Sequence, residues 1–490
     1  MNAYTTPPRP LRHAACVATA ALLLAGCTSL APPYEAPAMP VPQQYAEAAE
    51  AGNVQAADMA WRDYFTDPAL QAVIGEALAN NRDLRLATLR VAEARAAYGI
   101  QRADALPSVG ASAGMMRIGL PDNLGAGLPP SVAAMVPGTL TSYSAFAGIS
   151  SWELDLWGRV RNLSEAALRQ YLAAEWAQRG ATVSLIAQTA NAWLALRETD
   201  ERLTLAHQAL DNRSESLRIF SRRVDVGATS RLDLTQVRTL HQQAQALVAQ
   251  LEQQRATQQH ALDLIVGAPT PVAVSANQPA ADALRPLPAG LPSELLTRRP
   301  DIQAAEQQLR AAHAQIGVAR AAFLPSISLT AMAGSASGEL GELFGSGTGG
   351  WLFRPSISLP IFTAGKLQNN LNLAELRRDA AVAQYEKAIQ GAFRDVSDAL
   401  AAQQGLTQQV QVLSDMHATQ AERARLSRLR YDSGAARFFE VLDAERDLLA
   451  TAQQLTQTRR ALLSSRVALY AALGGGADPS PVSMNPSATP

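Results

Sequence analysis

Aromatic residues are scarce in this chain of 490 residues. Phe, Trp and Tyr together make up 5% of the sequence, although hydrophobic residues as a whole make up 48%. Long stretches are filled by Ala, Gln, Leu and Arg, a composition typical of extended helices with contacts between small residues. A bulky enzyme core rich in aromatic side chains is therefore not expected.

The chain also lacks an excess of charge of either sign. Its formal net charge is −1 and its pI is about 6.6. A protein that neutralises the phosphates of a nucleic acid needs an excess of Lys and Arg. We therefore expect no nucleic-acid partner.

Motifs of catalysis and metal binding are absent from the sequence. The six histidines form no pair at metal-ligand spacing, and neither a phosphate-binding Gly-Lys-Ser/Thr loop nor a Gly-x-Ser-x-Gly elbow occurs. The run "LGGG" at residues 473–476 predicts a helix terminus and not a nucleotide loop. The sequence thus predicts no catalytic residue, no metal site and no cofactor, so the chain is not expected to be an enzyme.

The first residues have the pattern of a secretory signal. Arg9 and Arg12 precede an apolar run at residues 14–25, which is too short to span a bilayer. The run ends in "LLAGC", where small residues precede Cys27 as in a bacterial lipoprotein lipobox. The alternative interpretation is a short apolar helix that happens to end in Gly-Cys.

We predict that residues 1–26 are a lipoprotein signal peptide and that Cys27 becomes the mature N-terminus. Cys27 would then carry an N-acyl chain and an S-diacylglycerol, which anchor the protein to outer membrane lipid. Only two cysteines exist, and Cys16 lies inside the predicted signal. No disulfide can therefore form within the mature chain.

Proline-rich stretches separate the remaining parts of the chain. Residues 27–60 are predicted to form an extended, acylated tether, residues 268–292 a linker at the equator, and residues 477–490 a disordered tail. Between them lie two predicted repeats, residues 61–267 and 293–476.

The two repeats share short motifs at constant spacing. The stretch "RADALPSVGA" at 102–111 matches "RAAFLPSISL" at 320–329 at an offset of 218 residues. The stretch "RVDVGATSRLDLTQVR" at 223–238 matches "RYDSGAARFFEVLDAE" at 430–445 at an offset of 207. An internal two-fold repeat of the structure follows from these matches.

Each repeat has the same predicted order of elements: a helix, two strands and a long helical hairpin. Pro107 and Pro325 end the first helices, because the proline ring clashes with the preceding turn. The strands are predicted at about 107–119, 143–156, 325–338 and 351–362, a length suited to tilted strands that cross a bilayer. The long helical runs, 159–223 and 366–430, are each about 100 Å long at about 1.5 Å per residue.

Four strands of membrane length cannot close a barrel, because an open edge would leave unpaired backbone groups in lipid. Either the strands do not cross a membrane, or several chains share one barrel. This argument predicts an oligomer without choosing three chains over two.

Several motifs resemble one family closely: the outer membrane factor lipoproteins of tripartite efflux systems, which are TolC/OprM-like and also called the NodT family. The motifs are "WRDYFTDPALQAVIGEAL", "LPSELLTRRPDIQAAEQQL", "ARAAFLPSISL", "SLPIFTAGK", "RYDSGAARFFEVLDAER" and "LYAALGGG". They extend over nearly the whole mature chain, and residues 291–301 are the most specific.

The resemblance implies a mainly α fold with membrane β-strands. A homotrimer would form a twelve-stranded transmembrane β-barrel, with four strands per chain, continuous with a long periplasmic α-helical barrel. It implies a passive exit duct in the outer membrane for drugs or other small toxic compounds. The partners would be a periplasmic membrane fusion protein, which is the adaptor, and an inner-membrane RND transporter.

Three alternatives remain open at this point. The same fold serves as the outer membrane duct of a type I secretion system with an ABC exporter. A structural coiled-coil lipoprotein without a pore would account for the helices but not for the strand pairs. An envelope enzyme is the third, and it lacks reactive groups in the sequence.

The hairpin tips are predicted at Gly227 and Gly434, where glycine permits a reversal of the chain. The resemblance implies that these tips form the periplasmic entrance and contact the adaptor. Ala436 departs from the family, since some relatives have an arginine near this tip position. Such a latch would be absent here or supplied by Arg437.

Beyond the second tip, Phe439, Asp443 and Arg446 follow at spacings of four and three along one helix face. Repeated in three chains around a pore axis, these residues would form an apolar ring, an acidic ring, to which Glu440 would add, and a basic contact. The resemblance implies that Phe439 and Asp443 constrict a periplasmic gate and that Tyr431 and Arg446 belong to a network that ties neighbouring helices shut. The alternative is that Phe439 belongs to a coiled-coil core and that Asp443 and Arg446 form a solvated ion pair.

Overall fold

The computed structural model describes residues 29–42, 45, 59–121, 138–270, 284–285, 287 and 299–475. The predicted signal peptide, Cys27, most of the linker at 268–292 and the tail lie outside these residues. Contacts divide the chain into two units. Unit 1 comprises residues 1–37, 92–172 and 306–383, and unit 2 comprises residues 38–91, 173–305 and 384–490. Each unit contains segments of both predicted repeats. The two units therefore do not coincide with the two repeats, which follow one another along the sequence.

The elements of the described chain are, in order, α1 (Trp61–Tyr64), α2 (Pro68–Asn80), α3 (Arg82–Ala103), β1 (Val109–Gly119), β2 (Thr139–Leu154), α4 (Arg159–Asp225), α5 (Arg231–Val266), α6 (Pro300–Ala321), β3 (Ser326–Ser337), a 3₁₀ turn (Leu340–Glu342), β4 (Gly349–Ser358), α7 (Lys366–Asp432) and α8 (Phe438–Ala472). Among the described residues, no helix combines the length and the hydropathy that crossing a membrane requires.

The internal repeat is visible in the bounds of the helices. Helices α3 and α6 end at Ala103 and Ala321, which keep the offset of 218 residues, and each stops four residues before the proline of its Leu-Pro-Ser motif. Helices α4 and α7 each have 67 residues and begin at an offset of 207. Proline ends both short helices at the same point, since its ring clashes with a preceding helical turn.

Unit 1 contains a four-stranded antiparallel sheet in the order β1-β2-β3-β4. Strand β2 begins at Thr139, earlier than the predicted residue 143, and β4 ends at Ser358, earlier than the predicted residue 362. Pro360 follows two residues after β4, and a proline has no N–H to continue a ladder.

The two faces of strand β4 differ in polarity. Strand β4 places Trp351, Phe353, Pro355 and Ile357 on one face, where they pair with Ala333, Ala331, Leu329 and Ile327 of β3. The opposite face has Leu352 beside Met332, Arg354 beside Thr330, and Ser356, whose hydroxyl contacts that of Ser328 at 2.8 Å. This alternation of apolar and polar residues is typical of strands with lipid on one side and water on the other.

The described part of the predicted tether lies against two helices of unit 1. The Ser29 hydroxyl donates a hydrogen bond to Asn162 Oδ1 of α4 at 2.9 Å, and the Tyr34 hydroxyl donates to Glu306 Oε1 of α6 at 3.2 Å. The Tyr34 ring also lies 4.6 Å beneath the guanidinium of Arg310. The tether is thus extended and held by specific contacts after its first residues.

Unit 2 has the largest apolar core of the described chain. The rings of Tyr64 and Tyr470 stack at 4.1 Å, and their hydroxyls donate to the carbonyl oxygens of Arg466 and Met59. Burying two phenols requires such partners, because an unpaired buried hydroxyl costs free energy. The other large, fully buried members are Phe65, Leu70, Ile74, Ile186, Trp193, Leu194, Leu196 and Leu262.

Residues 299–301 are the described part of the most specific family motif, and they close the end of α8. Arg299 is buried, and its Nη1 donates to the carbonyl oxygen of Ala472, the last residue of α8, at 2.7 Å. Its Nη2 pairs with Asp301 at 2.8 Å. A cation at this place satisfies a free carbonyl and the negative end of the helix dipole.

The hairpin tips share one backbone motif. Gly227 and Gly434 have φ of 74° and 77°, a left-handed conformation that favours glycine. In the first tip, the Ala228 N–H donates to Arg223 O and the Gly227 N–H to Val224 O; in the second, Ala435 donates to Arg430 O and Gly434 to Tyr431 O. Each long helix therefore ends in a Schellman motif.

The tips differ in how the next helix begins. At the first tip, the Ser230 hydroxyl accepts from the Asp233 N–H at 3.1 Å and Asp233 accepts from the Ser230 N–H, which forms a capping box. At the second tip, the equivalent residue, Arg437, makes no side-chain cap. The helix after the first tip thus begins with a side-chain cap, and the helix after the second tip does not.

We expect Ser230→Ala to loosen the first turn of α5. Loss of an N-cap costs about 1 kcal/mol, which corresponds to about fivefold faster local opening. Hydrogen–deuterium exchange of the Asp233 amide measures it. The matched change at the second tip, Arg437→Ala, is expected to leave exchange in the first turn of α8 unchanged. Equal acceleration in both helices would contradict the assignment of the cap.

Candidate functional site

The second tip places two consecutive phenylalanines in different surroundings. The Phe438 ring lies 4.6 Å from that of Phe220 and 4.9 Å from that of Tyr431, beside the buried Leu442. Phe439 is 56% exposed. Within the chain, Phe438 therefore fills the helical core, and Phe439 is free to contact water or another chain.

Tyr431 connects the two hairpins at their tips. Its hydroxyl accepts a hydrogen bond from Nη1 of Arg223, and the Arg223 guanidinium also lies 5.5 Å from the centre of the Phe220 ring. Arg223 belongs to α4 and Tyr431 to α7. Within one chain, Tyr431 thus contacts Arg223 of α4, whereas Arg446 contacts Asp443 and Asp447 of its own helix. A network of Tyr431 and Arg446 between neighbouring helices stays a prediction.

Asp443 and Arg446 belong to a group of four charged residues, which we name the Arg–Asp cluster: Arg423, Asp443, Arg446 and Asp447. Arg423 of α7 donates from Nη2 to Asp443 Oδ2 at 2.6 Å and from Nη1 to Asp447 Oδ2 at 2.7 Å. Arg446 donates from Nη2 to Asp443 Oδ1 at 2.5 Å and to Asp447 Oδ1 at 3.0 Å. All four carboxylate oxygens therefore accept hydrogen bonds from a guanidinium.

Two members of the cluster, Asp447 and Arg423, have pKa values shifted so that they keep their charges at neutral pH. Hydrogen bonds from Arg423 and then from Arg446 lower the pKa of Asp447, and the bonds to Asp447 and Asp443 raise the pKa of Arg423. A lowered pKa means that the pairing stabilises the tip at every pH above the ordinary range of an aspartate. This stabilisation is lost only as the pH falls through the lowered pKa.

The side chains of the cluster are between 26% and 53% exposed, so each single pair contributes little on its own. The arrangement of the four residues matters more than the strength of any one pair. Asp443, Asp447 and Arg446 lie on α8 and Arg423 lies on α7, so the cluster ties the two helices of one hairpin together.

Glu440 and Arg437 take separate positions around the second tip. Glu440 accepts from Arg430 Nη1 at 3.0 Å, an ion pair between α8 and α7. Hydrogen bonds from Ser230 and Thr229 lower the pKa of Asp233, and the positive charge of Arg437 adds to this effect. The charge of Arg437 thus lowers the pKa of a residue in the first tip. Ala436, at the position equivalent to Thr229, has no side-chain group that can form a hydrogen bond.

Gly227 and Gly434 lie at the predicted ends of the hairpins. A Cβ added at either glycine would meet no atom within 4 Å, so both tips are open to a partner. Val226 and Leu232, beside the first tip, are 78% and 67% exposed.

In the described part of the chain, no group of His, Cys, Asp and Glu is arranged to hold a metal ion.

Four residues of the site were not predicted from the sequence: Arg223, Arg423, Phe438 and Asp447. Asp447 follows Asp443 by four residues, so the helical period could have found it. Arg423 lies 20 residues before Asp443, and only the register of the hairpin about Gly434 connects them. For Phe438 and Phe439, the choice between core and surface depended on how the hairpins pack.

The sequence matches the family model described as outer membrane efflux protein. The match covers residues 73–268 and 291–475, one stretch in each repeat.

Relatives and solved structures agree with this match over nearly the whole chain. The chain is 42% identical over 466 residues to the antibiotic efflux pump outer membrane protein ArpC of Pseudomonas putida, which covers 94% of this chain and 95% of that protein. It is 40% identical over 464 residues to the cation efflux system protein CusC of Escherichia coli, covering 93% and 98%. The open state of the MtrE outer membrane channel of Neisseria gonorrhoeae superposes with a TM-score of 0.83 at 38% identity, covering 92% of this chain and 99% of that one.

These matches confirm the resemblance found from the motifs, and they confirm the mainly α fold with four membrane strands per chain. They also confirm a location in the outer membrane with extension into the periplasm. The chain therefore belongs to the outer membrane efflux protein family and is the outer membrane channel component of an efflux pump.

Proposed function

We propose that three copies of the chain form a passive exit duct, driven by an inner-membrane transporter to which a periplasmic adaptor connects it. Each chain would contribute its four strands to a twelve-stranded barrel and its helical hairpins to a periplasmic tube. The compounds exported would be drugs or other small toxic molecules, and the chain itself would catalyse no reaction.

The single observation that carries this proposal is the open sheet of unit 1. Within the described residues, β1 and β4 are the outer strands and each pairs on one side only. Unpaired backbone groups are not tolerated in lipid, so further chains must supply partners for both edges. Pairing of β4 of one chain with β1 of the next closes the sheet without exposing an edge.

The apolar face of the sheet supports a position in the bilayer. Strands β1 to β4 have 11, 16, 12 and 10 residues, enough for tilted strands to cross the hydrocarbon layer. Trp351, Phe353 and Ile357 are 81%, 58% and 72% exposed on one face of β4. Lipid would cover these side chains, and the polar face would line water.

The hairpin tips are the proposed entrance. Phe439 would form an apolar constriction, Asp443 and Glu440 would contribute carboxylates to the entrance, and the contacts of Tyr431 and Arg446 would hold the helices closed. The exposed tips around Gly227 and Gly434 would contact the adaptor, which fits the open surface at both glycines. A narrow apolar ring resists wetting and so favours closure.

The names of the relatives favour efflux of small molecules over secretion of proteins. ArpC is described as part of an antibiotic efflux pump, and CusC as part of a cation efflux system. We therefore propose an RND transporter as the pump and keep an ABC exporter as the alternative. A structural coiled-coil lipoprotein without a pore would not account for an open sheet with an apolar face.

The proposed anchor is Cys27, which lies outside the described residues. Ser29, two residues later, contacts Asn162 at the start of α4. Acyl chains on Cys27 would therefore begin close to unit 1, which contains the membrane strands. Three acyl chains exceed the two signals that stable attachment to a membrane requires.

Phe353→Arg is expected to destabilise the barrel, because a charge on the lipid face near the middle of the bilayer costs about 2–4 kcal/mol. The amount of heat-resistant trimer in outer membrane fractions, measured by semi-native gel electrophoresis, should fall. Ser356→Arg on the opposite face of the same strand, where Arg354 already stands, is expected to leave the trimer intact. Equal losses in both variants would argue against the orientation of the sheet.

The double change Asp443→Ala and Arg446→Ala is expected to loosen the entrance. It removes two members of the Arg–Asp cluster from each of three chains, so the open fraction in planar bilayers should rise roughly tenfold. The control is Glu422→Ala with Arg425→Ala, an exposed ion pair at 2.7 Å within α7. Unchanged conductance in the first double variant would count against the gate, and absence of conductance in every variant would count against a duct.

Labelling with radioactive palmitate tests the anchor. Cys27→Ser is expected to abolish labelling and to remove the mass of the acyl groups from the mature protein. Cys16→Ser is the control, because this cysteine lies in the predicted signal peptide and would be absent from the mature chain. Labelling that persists in the Cys27 variant would refute the acylation site.

A further inference from the structure

The Arg–Asp cluster changes the charge expected at the entrance. The sequence alone leaves two interpretations of Asp443: a member of an acidic ring in a trimer, or one half of a solvated ion pair with Arg446. In the structure, both of its oxygens accept hydrogen bonds, one from Arg423 and one from Arg446. The carboxylate of Asp447 is engaged in the same way. Two negative and two positive charges therefore cancel within each chain.

Arg423 contributes to this balance differently from Arg446. Arg446 lies on the same helix as both aspartates, three residues after Asp443, so helical spacing alone places it within reach of them. Arg423 reaches them from α7, and only the packing of α7 against α8 brings it there. Its charge is the one whose position depends on the tertiary structure.

We propose that Arg423 sets the ionic selectivity of the entrance, because it completes the neutralisation of Asp443 and Asp447 and so prevents an acidic ring. The proposal rests on the proposed function as a trimeric duct. It assigns a specificity-determining role to a residue outside the gate positions derived from the sequence.

The next ion pair toward the tip is also balanced within the chain. Glu440, the next acidic group toward the tip, is paired with Arg430 at 3.0 Å and is likewise balanced within the chain. Removal of Arg423 alone leaves two carboxylates against one guanidinium in each chain, a net charge of −3 around a trimeric entrance.

A net charge at a narrow passage acts on passing ions. Screening in 0.1 M salt extends over about 10 Å, so charges grouped around a constriction are felt across it. Low-dielectric walls focus the field and concentrate counter-ions by a factor of about 10 to 1,000. Conversely, an entrance with balanced charges discriminates little between cations and anions.

The test is the reversal potential of the purified full-length protein in planar bilayers under a gradient of KCl at neutral pH. Arg423→Gln is expected to raise the cation-to-anion permeability ratio roughly tenfold. Arg423→Lys keeps the charge and should retain the ratio of the unchanged protein. Arg425→Gln is the matched control: it removes the same charge two residues away, but Arg425 pairs with Glu422 on its own helix.

A second variant tests the opposite sign. Asp447→Asn leaves two guanidinium groups against the one carboxylate of Asp443, so the permeability ratio should shift toward anions. This result remains available if Arg423→Gln does not assemble.

Three outcomes overturn the inference. A ratio that does not change in Arg423→Gln excludes the role, and an equal change in Arg425→Gln assigns it to overall charge and not to the cluster. A shift toward cations in Asp447→Asn contradicts the charge balance. If no variant conducts ions, the proposed function fails as well, whereas conduction with unchanged selectivity overturns only the inference about Arg423.

Discussion

Backbone hydrogen bonding at the edges of the sheet is the constraint on which the rest of this structure depends. In water, the outer sides of β1 and β4 could bond to solvent; in hydrocarbon they cannot, and each unpaired N–H or C=O costs several kcal/mol. A chain with four membrane strands is therefore incomplete by itself. The apolar face of β4 with Trp351 and Phe353, and Arg354 and Ser356 on its opposite face, suit the same outcome, in which neighbouring chains complete the barrel.

The internal repeat shows how one backbone design can serve two purposes. Helices α4 and α7 have equal lengths, and both tips end in a Schellman motif around a glycine. The side chains then diverge. Ser230 and Asp233 fix the first tip locally through a capping box, whereas Arg437 and Glu440 stand at the equivalent positions of the second. The second tip is held by ion pairs between helices, which water and neighbouring chains can exchange.

Ion pairs suit a closure that must open. The side chains of the Arg–Asp cluster are partly exposed, so breaking their contacts returns them to water without leaving a buried charge. The aromatic contacts of Phe438 with Phe220 and Tyr431 lie beside the cluster and keep the hairpins together by apolar burial. A tip with a firm apolar contact and exchangeable polar contacts can shift its helices without unfolding them.

The sequence by itself determined the local and periodic features of this protein. The prolines of the Leu-Pro-Ser motifs place the helix ends, the glycines place the tips, and helical spacing joins Asp443 to Arg446, because these effects act over a few residues of chain. The tertiary structure decided what depends on packing between distant segments. In the tertiary structure, Phe438 and not Phe439 packs in the core, Tyr431 pairs with Arg223, and Arg423 reaches both Asp443 and Asp447. No local pattern encodes these contacts, since they arise only when two helices of a hairpin, or two hairpins, settle into one register.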